Sequence, residues 1–182
     1  MILPKLAVSF GITVFLIGSM ALLTDRRATS REGEALAAHP PTGQFLVVDG
    51  ARVHVQIAGS GPDLVLIHGA SGNLNDFTFN LMDRLVANYR VIAVDRPGLG
   101  HSDPLPLGQT SLASQAHHIA KAVSQLGADH PIVLGQSYGG AVALAWALHE
   151  PAKPAALVLV SAVSLPWPGK LDPWYRLTST RI

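Results

Sequence analysis

The amino-acid sequence predicts an α/β domain with a mostly parallel sheet and an antiparallel hairpin at its N-terminal edge. The short apolar runs at residues 64–67 and 91–94 are typical of strands covered on both faces. Segments with apolar residues at helical spacing separate such runs, and strands that alternate with helices form parallel sheets through right-handed crossovers. The hairpin is indicated by two strand-like segments that flank Asp49-Gly50, a dipeptide suited to a type I′ turn.

Composition restricts the chain to one domain of ordinary size and excludes several kinds of chemistry. It has 182 residues, a net charge of +1 and 14% charged residues, so no nucleic-acid partner is predicted. Cysteine is absent, which removes disulfides, thiolate nucleophiles and cysteine-ligated metals. The glycine-rich loop at 69–72 lacks the lysine of a phosphate-binding loop. The sequence therefore predicts no metal site and no cofactor.

The N-terminal segment has a different character from the rest of the chain. Residues 6–23 contain no charge and are about long enough to cross a bilayer as a helix. We therefore predict residues 1–24 to be a single-pass N-terminal membrane anchor, with residues 6–23 in the membrane. The alternative is a secretory signal cleaved near residues 19–21, which would leave a secreted or periplasmic protein. Residues 25–43 are polar and mixed in charge, as expected for a linker.

Residues 44–164 are predicted to form the core of the domain. The hairpin strands span 44–48 and 52–57, and the second alternates apolar with polar residues, which places His54 on a solvent-facing side. One helix is predicted after the first buried strand from the spacing of Leu74, Phe77, Leu81 and Leu85. The next predicted helix runs from 112 to 126, with Thr110 or Ser111 as the residue that starts it and Gly127 as the residue that stops it. A strand at 132–134, a helix at 141–148 and a strand at 156–160 follow.

A Gly-x-Ser-x-Gly sequence at residues 135–139 directly follows a predicted strand and precedes a predicted helix. The string alone is weak evidence, but a strand–turn–helix context is where a nucleophile elbow lies. The serine of such an elbow occupies a strained turn, and glycines two residues before and after it prevent a collision between strand and helix. Ser137 is the predicted nucleophile, and the alternative is a glycine-rich turn with an incidental serine. The other elbow residues are Gly135, Gln136 and Gly139.

A serine nucleophile also requires hydrogen-bond donors for the oxyanion that forms during its reaction. The N–H of Tyr138, the residue after the nucleophile, is one predicted donor. The second is expected from the loop after an earlier strand, at residues 68–73, where the N–H of Ala70 is the candidate. His68 begins this loop, and a histidine at a strand end beside glycine is predicted to be structural rather than catalytic.

Three motifs in this order resemble the α/β-hydrolase superfamily, in the branch with a single core domain and a helical lid. They are HGASGN at 68–73, DRPGLGHS at 95–102 and GQSYGG at 135–140, and the resemblance covers roughly residues 45–174. It implies that the first motif supplies an oxyanion-hole amide and the third the nucleophile. The second motif shapes the wall of the site, so Asp95 is expected to be structural. Similar dehalogenases and epoxide hydrolases carry aspartate where this chain has the elbow serine.

The resemblance further implies an acid and then a histidine after the nucleophile, and the sequence departs from the family here. His149 is the last histidine of the chain, and it lies about three turns along the helix that leads away from the site. The chain is therefore predicted to lack the acid and the histidine of the triad, and the fold to be incomplete at its C-terminus. Residues 165–182 are predicted to begin a lid that contains Trp167, Trp174 and Tyr175.

The predicted function is hydrolysis of an ester or related acyl bond through an acyl-serine intermediate. Hydrolysis of a thioester, amide, lactone or carbon–carbon bond and cofactor-free perhydrolysis are alternatives that use the same arrangement. The aromatic start of the lid and the membrane segment favour a small, hydrophobic acyl substrate. The competing class is non-catalytic: a membrane-anchored pseudo-hydrolase, or an inactive truncated fragment whose last strand is an exposed apolar edge.

Overall fold

The computed structural model describes residues 3–165, 169, 170 and 173, with the side chains of residues 3–11, 32, 35 and 36 left out. The chain divides into two compact units, Met1–Pro41 and Thr42–Ile182. The predicted start of a lid lies largely outside the described residues, including its three aromatic side chains, Trp167, Trp174 and Tyr175.

The first unit contains one helix, α1 (Leu3–Ala38), which continues through most of the segment predicted to be a linker. Its described side chains are apolar mainly at 12–23, and charged residues follow from Asp25 onwards. A spanning helix needs about 20 consecutive apolar residues. In the part of the chain that the structure describes, no helix is long and apolar enough to cross a membrane. The prediction of a membrane location through an anchor at residues 6–23 is therefore wrong.

The second unit combines a sheet with short helices. Its described strands are β1 (Gln44–Val48), β2 (Ala51–Ala58), β3 (Asp63–Ile67), β4 (Arg90–Val94), β5 (Ile132–Gln136) and β6 (Ala156–Val160), and its described helices are α2 (Asn75–Thr78), α3 (Leu81–Leu85), α4 (Leu112–Ser124) and α5 (Tyr138–His149). The strand order is β1-β2-β4-β3-β5-β6. β1 with β2 and β2 with β4 are antiparallel, and the other neighbours are parallel. This confirms the predicted α/β fold with its N-terminal hairpin.

Local geometry agrees with the predicted hairpin turn and differs from one predicted helix. Asp49 and Gly50 have φ of 51° and 85°, and a type I′ turn requires positive φ at both positions. The single helix expected from Leu74 to Leu85 is instead split into α2 and α3. Asn80, between them, has φ −153° and ψ −44°, which interrupts the helical backbone although the apolar spacing continues across it.

The central strands are covered on both faces by apolar side chains. Along β3, Val65 and Ile67 belong to one buried cluster and Leu64 and Leu66 to the other, as alternating directions of successive side chains require. The first cluster includes residues of α4 and α5, and the second includes residues of α2 and α3. Within the described residues β6 is an edge strand of the sheet, and most of its residues are exposed.

The packing of α5 predicts unequal consequences for two large side chains of this helix. Trp146 is 1% exposed and its Nε1–H donates to the carbonyl oxygen of Ala152 at 3.0 Å. Replacing Trp146 by Ala should lower the free energy of unfolding by about 3–5 kcal/mol. Leu148→Ala is the matched control, because Leu148 is 71% exposed and its loss should cost less than about 0.5 kcal/mol. Urea unfolding measures both, and equal losses would contradict this packing.

Candidate active site

Ser137 occupies a strained position between β5 and α5. Its φ of 52° and ψ of −117° lie outside the regions that non-glycine residues normally adopt. The backbone on both sides holds it there: its N–H donates to the carbonyl oxygen of Val160 at 2.9 Å, and its carbonyl oxygen accepts from the N–H of Gly140 at 3.0 Å and of Val163 at 3.2 Å. Ser137 is half-buried, so it is partly accessible to solvent.

The glycines of the elbow are required by close backbone approaches. A Cβ at Gly135 would lie 2.6 Å from the carbonyl carbon of Gly139, closer than Cβ atoms come to other atoms. A Cβ at Gly139 would collide with the carbonyl oxygens of Ile67 and His68. The second of these approaches joins α5 to the end of β3, so the elbow is fixed against the neighbouring strand as well as against its own. The catalytic roles of the elbow residues, including Gln136, stay predictions.

The loop after β3 lies against Ser137. β3 and β5 are parallel neighbours, with Ile67 opposite Gly135, so their carboxyl ends meet at the same edge of the sheet. A Cβ at Gly69 would lie only 3.3 Å from the Cβ of Ser137. The structure thereby brings the backbone that leads into Ala70 next to the serine.

Both predicted oxyanion donors are available near Ser137. Tyr138 is the first residue of α5, and the first N–H groups of a helix have no intrahelical acceptor. Within the described part of the chain, the N–H groups of Ala70 and Tyr138 donate to no protein acceptor. Two free N–H groups beside a hydroxyl can stabilise a developing oxyanion. Their participation in a reaction stays a prediction.

His68 is buried and uses both of its ring nitrogens. Its Nε2 accepts from the backbone N–H of Arg96 at 2.9 Å, so the proton is on Nδ1, which donates to the carbonyl oxygen of Gly69 at 2.9 Å. Burial lowers the pKa of His68 despite the opposing effect of the bond to Gly69. A neutral ring with no free lone pair cannot accept the proton of Ser137.

His54 was predicted on a solvent-facing side of β2, and that prediction is wrong. The side chain is 2% exposed. Its ring lies 5.1 Å from that of His101 and 5.2 Å from that of Phe45, because the loop after β4 covers this face of the strand. Its Nδ1 contacts Asp95 Oδ2 at 2.7 Å, and its Nε2 accepts from the N–H of Gly43 at 3.4 Å. His54 is therefore engaged at both nitrogens too.

Asp95 joins three segments of the chain at the end of β4. Besides His54, its carboxylate accepts from the N–H of Leu74 at 2.7 Å and of His101 at 2.9 Å. Burial alone would raise the pKa of Asp95, but the hydrogen bond from His54 and those from the two backbone N–H groups hold it below its ordinary value. The ionised carboxylate ties the hairpin and the loop at Leu74 to β4.

Sequence reasoning did not single out Arg96. This residue is 4% exposed, and its guanidinium donates to the carbonyl oxygens of His68 at 3.0 Å and Gly69 at 2.8 Å. It also donates to Gln115 Oε1 at 3.0 Å, and its Cζ lies 4.7 Å from the ring centroid of Tyr138. The available signal was its place two residues after a buried strand, where the carboxyl ends of parallel strands form sites. Among the described residues, no group of three or more His, Asp or Glu side chains could hold a metal ion.

Comparison with known proteins shows that this chain belongs to the α/β-hydrolase family. Residues 62–179 match the family model for the alpha/beta hydrolase fold, which is more than half of the chain. The chain is 41% identical over 133 residues to the dihydrolipoyllysine-residue acetyltransferase component of the acetoin cleaving system of Cupriavidus necator, a match over 72% of this chain and 34% of that protein.

Two hydrolases are also similar. A 2-hydroxy-6-oxononadienedioate/2-hydroxy-6-oxononatrienedioate hydrolase of Klebsiella pneumoniae is 35% identical over 128 residues, which are 65% of this chain and 44% of that protein. The solved structure of an esterase from Exiguobacterium antarcticum is 33% identical with a TM-score of 0.61, over 68% of this chain and 46% of that chain. The chain thus spans less than half the length of each of these relatives.

The buried Asp95 carboxylate predicts a pH-dependent stability. Because the folded protein holds the pKa of Asp95 below its ordinary value, the ionised group stabilises the fold at neutral pH, and this contribution is lost as the pH falls through that lowered pKa. Asp95→Asn should lower the free energy of unfolding by at least about 2 kcal/mol at pH 7. The difference in the free energy of unfolding between Asp95→Asn and the unmutated chain should become smaller below about pH 4.

Urea unfolding at a series of pH values from 7 to 2 measures this difference. Asp83→Asn is the control, because Asp83 is exposed and should show little effect at any pH. A loss for Asp95→Asn that is the same at pH 7 and pH 2 would rule out a stabilising carboxylate at this position.

Proposed function

We propose that the chain carries a serine hydrolase site that acts on an ester or related acyl bond through an acyl-serine intermediate. Ser137 is the nucleophile, and the N–H groups of Ala70 and Tyr138 form the oxyanion hole. The observation that supports this most strongly is the positive φ of Ser137 at the junction of β5 and α5, with Gly69 packed against its Cβ. Membership of the α/β-hydrolase family and similarity to two hydrolases agree with it.

The proposed reaction follows from where the hydroxyl and the N–H groups lie. The Ser137 oxygen attacks the acyl carbonyl carbon, its proton passes to a base, and the carbonyl oxygen becomes an oxyanion. The N–H groups of Ala70 and Tyr138 receive that charge, and the N-terminus of α5 adds a favourable partial charge. The base returns the proton to the leaving group, which departs, and water then hydrolyses the acyl-serine, releasing the acid and restoring the Ser137 hydroxyl. Each oxyanion donor contributes a factor of about 10²–10³ to turnover.

The base that accepts the Ser137 proton is the open part of the reaction. His54 and His68 have both ring nitrogens engaged, and His149 is the last residue of α5. Because α5 has 12 residues, His149 lies about 18 Å along the helix from the serine. We infer that none of these three histidines is the base. The exclusion of these three leaves open a second candidate function, a non-catalytic hydrolase-like domain, because a serine without a base stays protonated.

The proposed substrate is a small molecule with an acyl bond. The similar proteins include one named as an esterase and one named as a hydrolase of 2-hydroxy-6-oxo dienedioates. An ester is the first choice, and the thioester, amide, lactone and carbon–carbon bond alternatives use the same nucleophile and oxyanion hole. A hydrophobic acyl group is proposed because the sequence after residue 165 contains several aromatic residues. The predicted membrane segment no longer supports this proposal.

Replacing Ser137 by Ala tests the nucleophile. The variant should lose labelling by a fluorophosphonate probe, because no oxygen remains to form the adduct. Where a base is available to Ser137, hydrolysis of p-nitrophenyl butyrate should also fall by several orders of magnitude. Ser124→Ala is the matched control: this exposed serine of α4 contacts Asp129 and lies outside the site. Mass spectrometry of the labelled peptides and the initial rates of hydrolysis are the measurements.

Two other outcomes are informative. Hydrolysis and labelling that persist in Ser137→Ala would remove this serine from the proposed role. If the unmutated chain and the Ser124→Ala control both fail to react, the non-catalytic alternative is favoured.

A further inference from the structure

One carbonyl oxygen in the loop after β3 is held by two donors. Nη2 of Arg96 donates to the carbonyl oxygen of Gly69 at 2.8 Å, and Nδ1–H of His68 donates to the same oxygen at 2.9 Å. Nε of Arg96 also donates to the carbonyl oxygen of His68 at 3.0 Å. The planar guanidinium of Arg96 therefore donates to two successive carbonyl oxygens at once, an arrangement that a lysine ammonium cannot reproduce.

The carbonyl oxygen of Gly69 belongs to the same peptide group as the N–H of Ala70. A trans peptide group is planar, and its C=O and N–H point in opposite directions; no cis peptide bond occurs in the described residues. Fixing the Gly69 oxygen toward Arg96 therefore fixes the Ala70 N–H in the direction away from Arg96. A carbonyl that accepts from a cation is also polarised, which makes the N–H of its peptide a stronger donor.

The same guanidinium contacts the other proposed donor residue. Its Cζ lies 4.7 Å from the ring centroid of Tyr138, a cation–π distance, and Nη1 donates to Gln115 Oε1 at 3.0 Å. Gln115 is in turn fixed by donating from Nε2 to the carbonyl oxygen of Thr110 at 3.0 Å. One buried side chain thus contacts the peptide group that carries the Ala70 N–H, through the Gly69 oxygen, and the ring of Tyr138.

We propose that Arg96 is a positioning residue of the oxyanion hole, which aims the Ala70 N–H and holds Tyr138 in place. This inference rests on the proposed function of Ser137, Ala70 and Tyr138. Arg96 is buried behind the loop and acts through its contacts with the backbone and the tyrosine ring, so its removal should affect the oxyanion more than the binding of substrate.

The test compares two substitutions of Arg96, which lies just after β4, with one of Arg90 at the start of that strand. Arg96→Lys keeps the charge without the planar guanidinium, and Arg96→Met removes both. Arg90→Met is the matched control, since Arg90 is the first residue of β4 and its guanidinium binds Asp63 and the carbonyl oxygen of Leu126. For each variant we would measure kcat and KM for p-nitrophenyl butyrate, the free energy of unfolding, and the carbonyl-carbon NMR chemical shift of Gly69.

Both Arg96 variants should lower kcat by about 10²-fold or more, the effect of losing one oxyanion donor, with KM changed by less than about threefold. The carbonyl-carbon signal of Gly69 should move upfield in both, because that oxygen loses the guanidinium N–H that donates to it. Arg90→Met should keep kcat and the Gly69 signal while losing stability. This combination distinguishes a positioning role from a general loss of folded protein.

A folded Arg96→Lys chain with unchanged kcat and an unchanged Gly69 signal would overturn the inference, and this variant decides the matter if Arg96→Met does not fold. Failure of the proposed function is seen separately, as hydrolysis that survives Ser137→Ala. The Gly69 signal is independent of the reaction of Ser137. If the chain shows no hydrolysis, an upfield shift in Arg96→Lys still supports the hydrogen bond from Arg96 to Gly69, and an unchanged signal refutes it.

Discussion

At the carboxyl end of the sheet, the carbonyl oxygens of Ile67 and His68 occupy the space that a side chain on Gly139 would need. The first turn of α5 therefore packs directly against the backbone at the end of β3. The chain can then pass from β5 into α5 only through a sharp turn, and Ser137 adopts positive φ within it. The same contact brings Gly69 against the serine. Backbone crowding between two parallel strands and one helix thus sets the geometry of the whole candidate site.

A network of buried polar groups holds the neighbouring loops in fixed positions. Buried polar groups are costly unless they are hydrogen-bonded, and the acceptors and donors of Asp95, His68 and Arg96 are matched to backbone groups of the neighbouring segments. Asp95 joins the hairpin to the end of β4 through His54. The consequence for function is that His54 and His68 have both ring nitrogens engaged in hydrogen bonds, so neither is proposed as the base.

Much of the fold could be predicted from the sequence because its signals are local. The Asp49-Gly50 turn and the apolar runs of the central strands each act within a few residues. The glycines around Ser137 form a recognisable local motif, although Gly139 is required by its approach to the end of β3. The membrane anchor was predicted from the charge-free run at 6–23 alone, whereas no described helix is long and apolar enough to cross a membrane and α1 continues to Ala38. The split of one predicted helix at Asn80 leaves the apolar spacing intact, so periodicity alone does not reveal it.

The candidate site was less accessible to sequence reasoning where it depends on contacts between distant segments. Alternation along β2 places His54 opposite the core, but the loop that buries it comes 41 residues later, at Asp95. The guanidinium of Arg96 donates to the backbone carbonyl oxygens of His68 and Gly69. Every residue has a backbone carbonyl, so the sequence does not indicate which ones accept from Arg96. The positions of Ser137, Ala70 and Tyr138 were predictable because the elbow and the loop after β3 are sequence motifs.

The most direct test of the proposed site is a crystal structure of the chain after reaction with a fluorophosphonate. The phosphonyl group should be attached to the oxygen of Ser137. Its phosphoryl oxygen should lie about 2.7–3.1 Å from both the Ala70 and the Tyr138 backbone nitrogens, because those two N–H groups are proposed to bind the oxyanion. An adduct on another residue, or a phosphoryl oxygen that contacts neither nitrogen, would contradict the assignment of this elbow as a catalytic site.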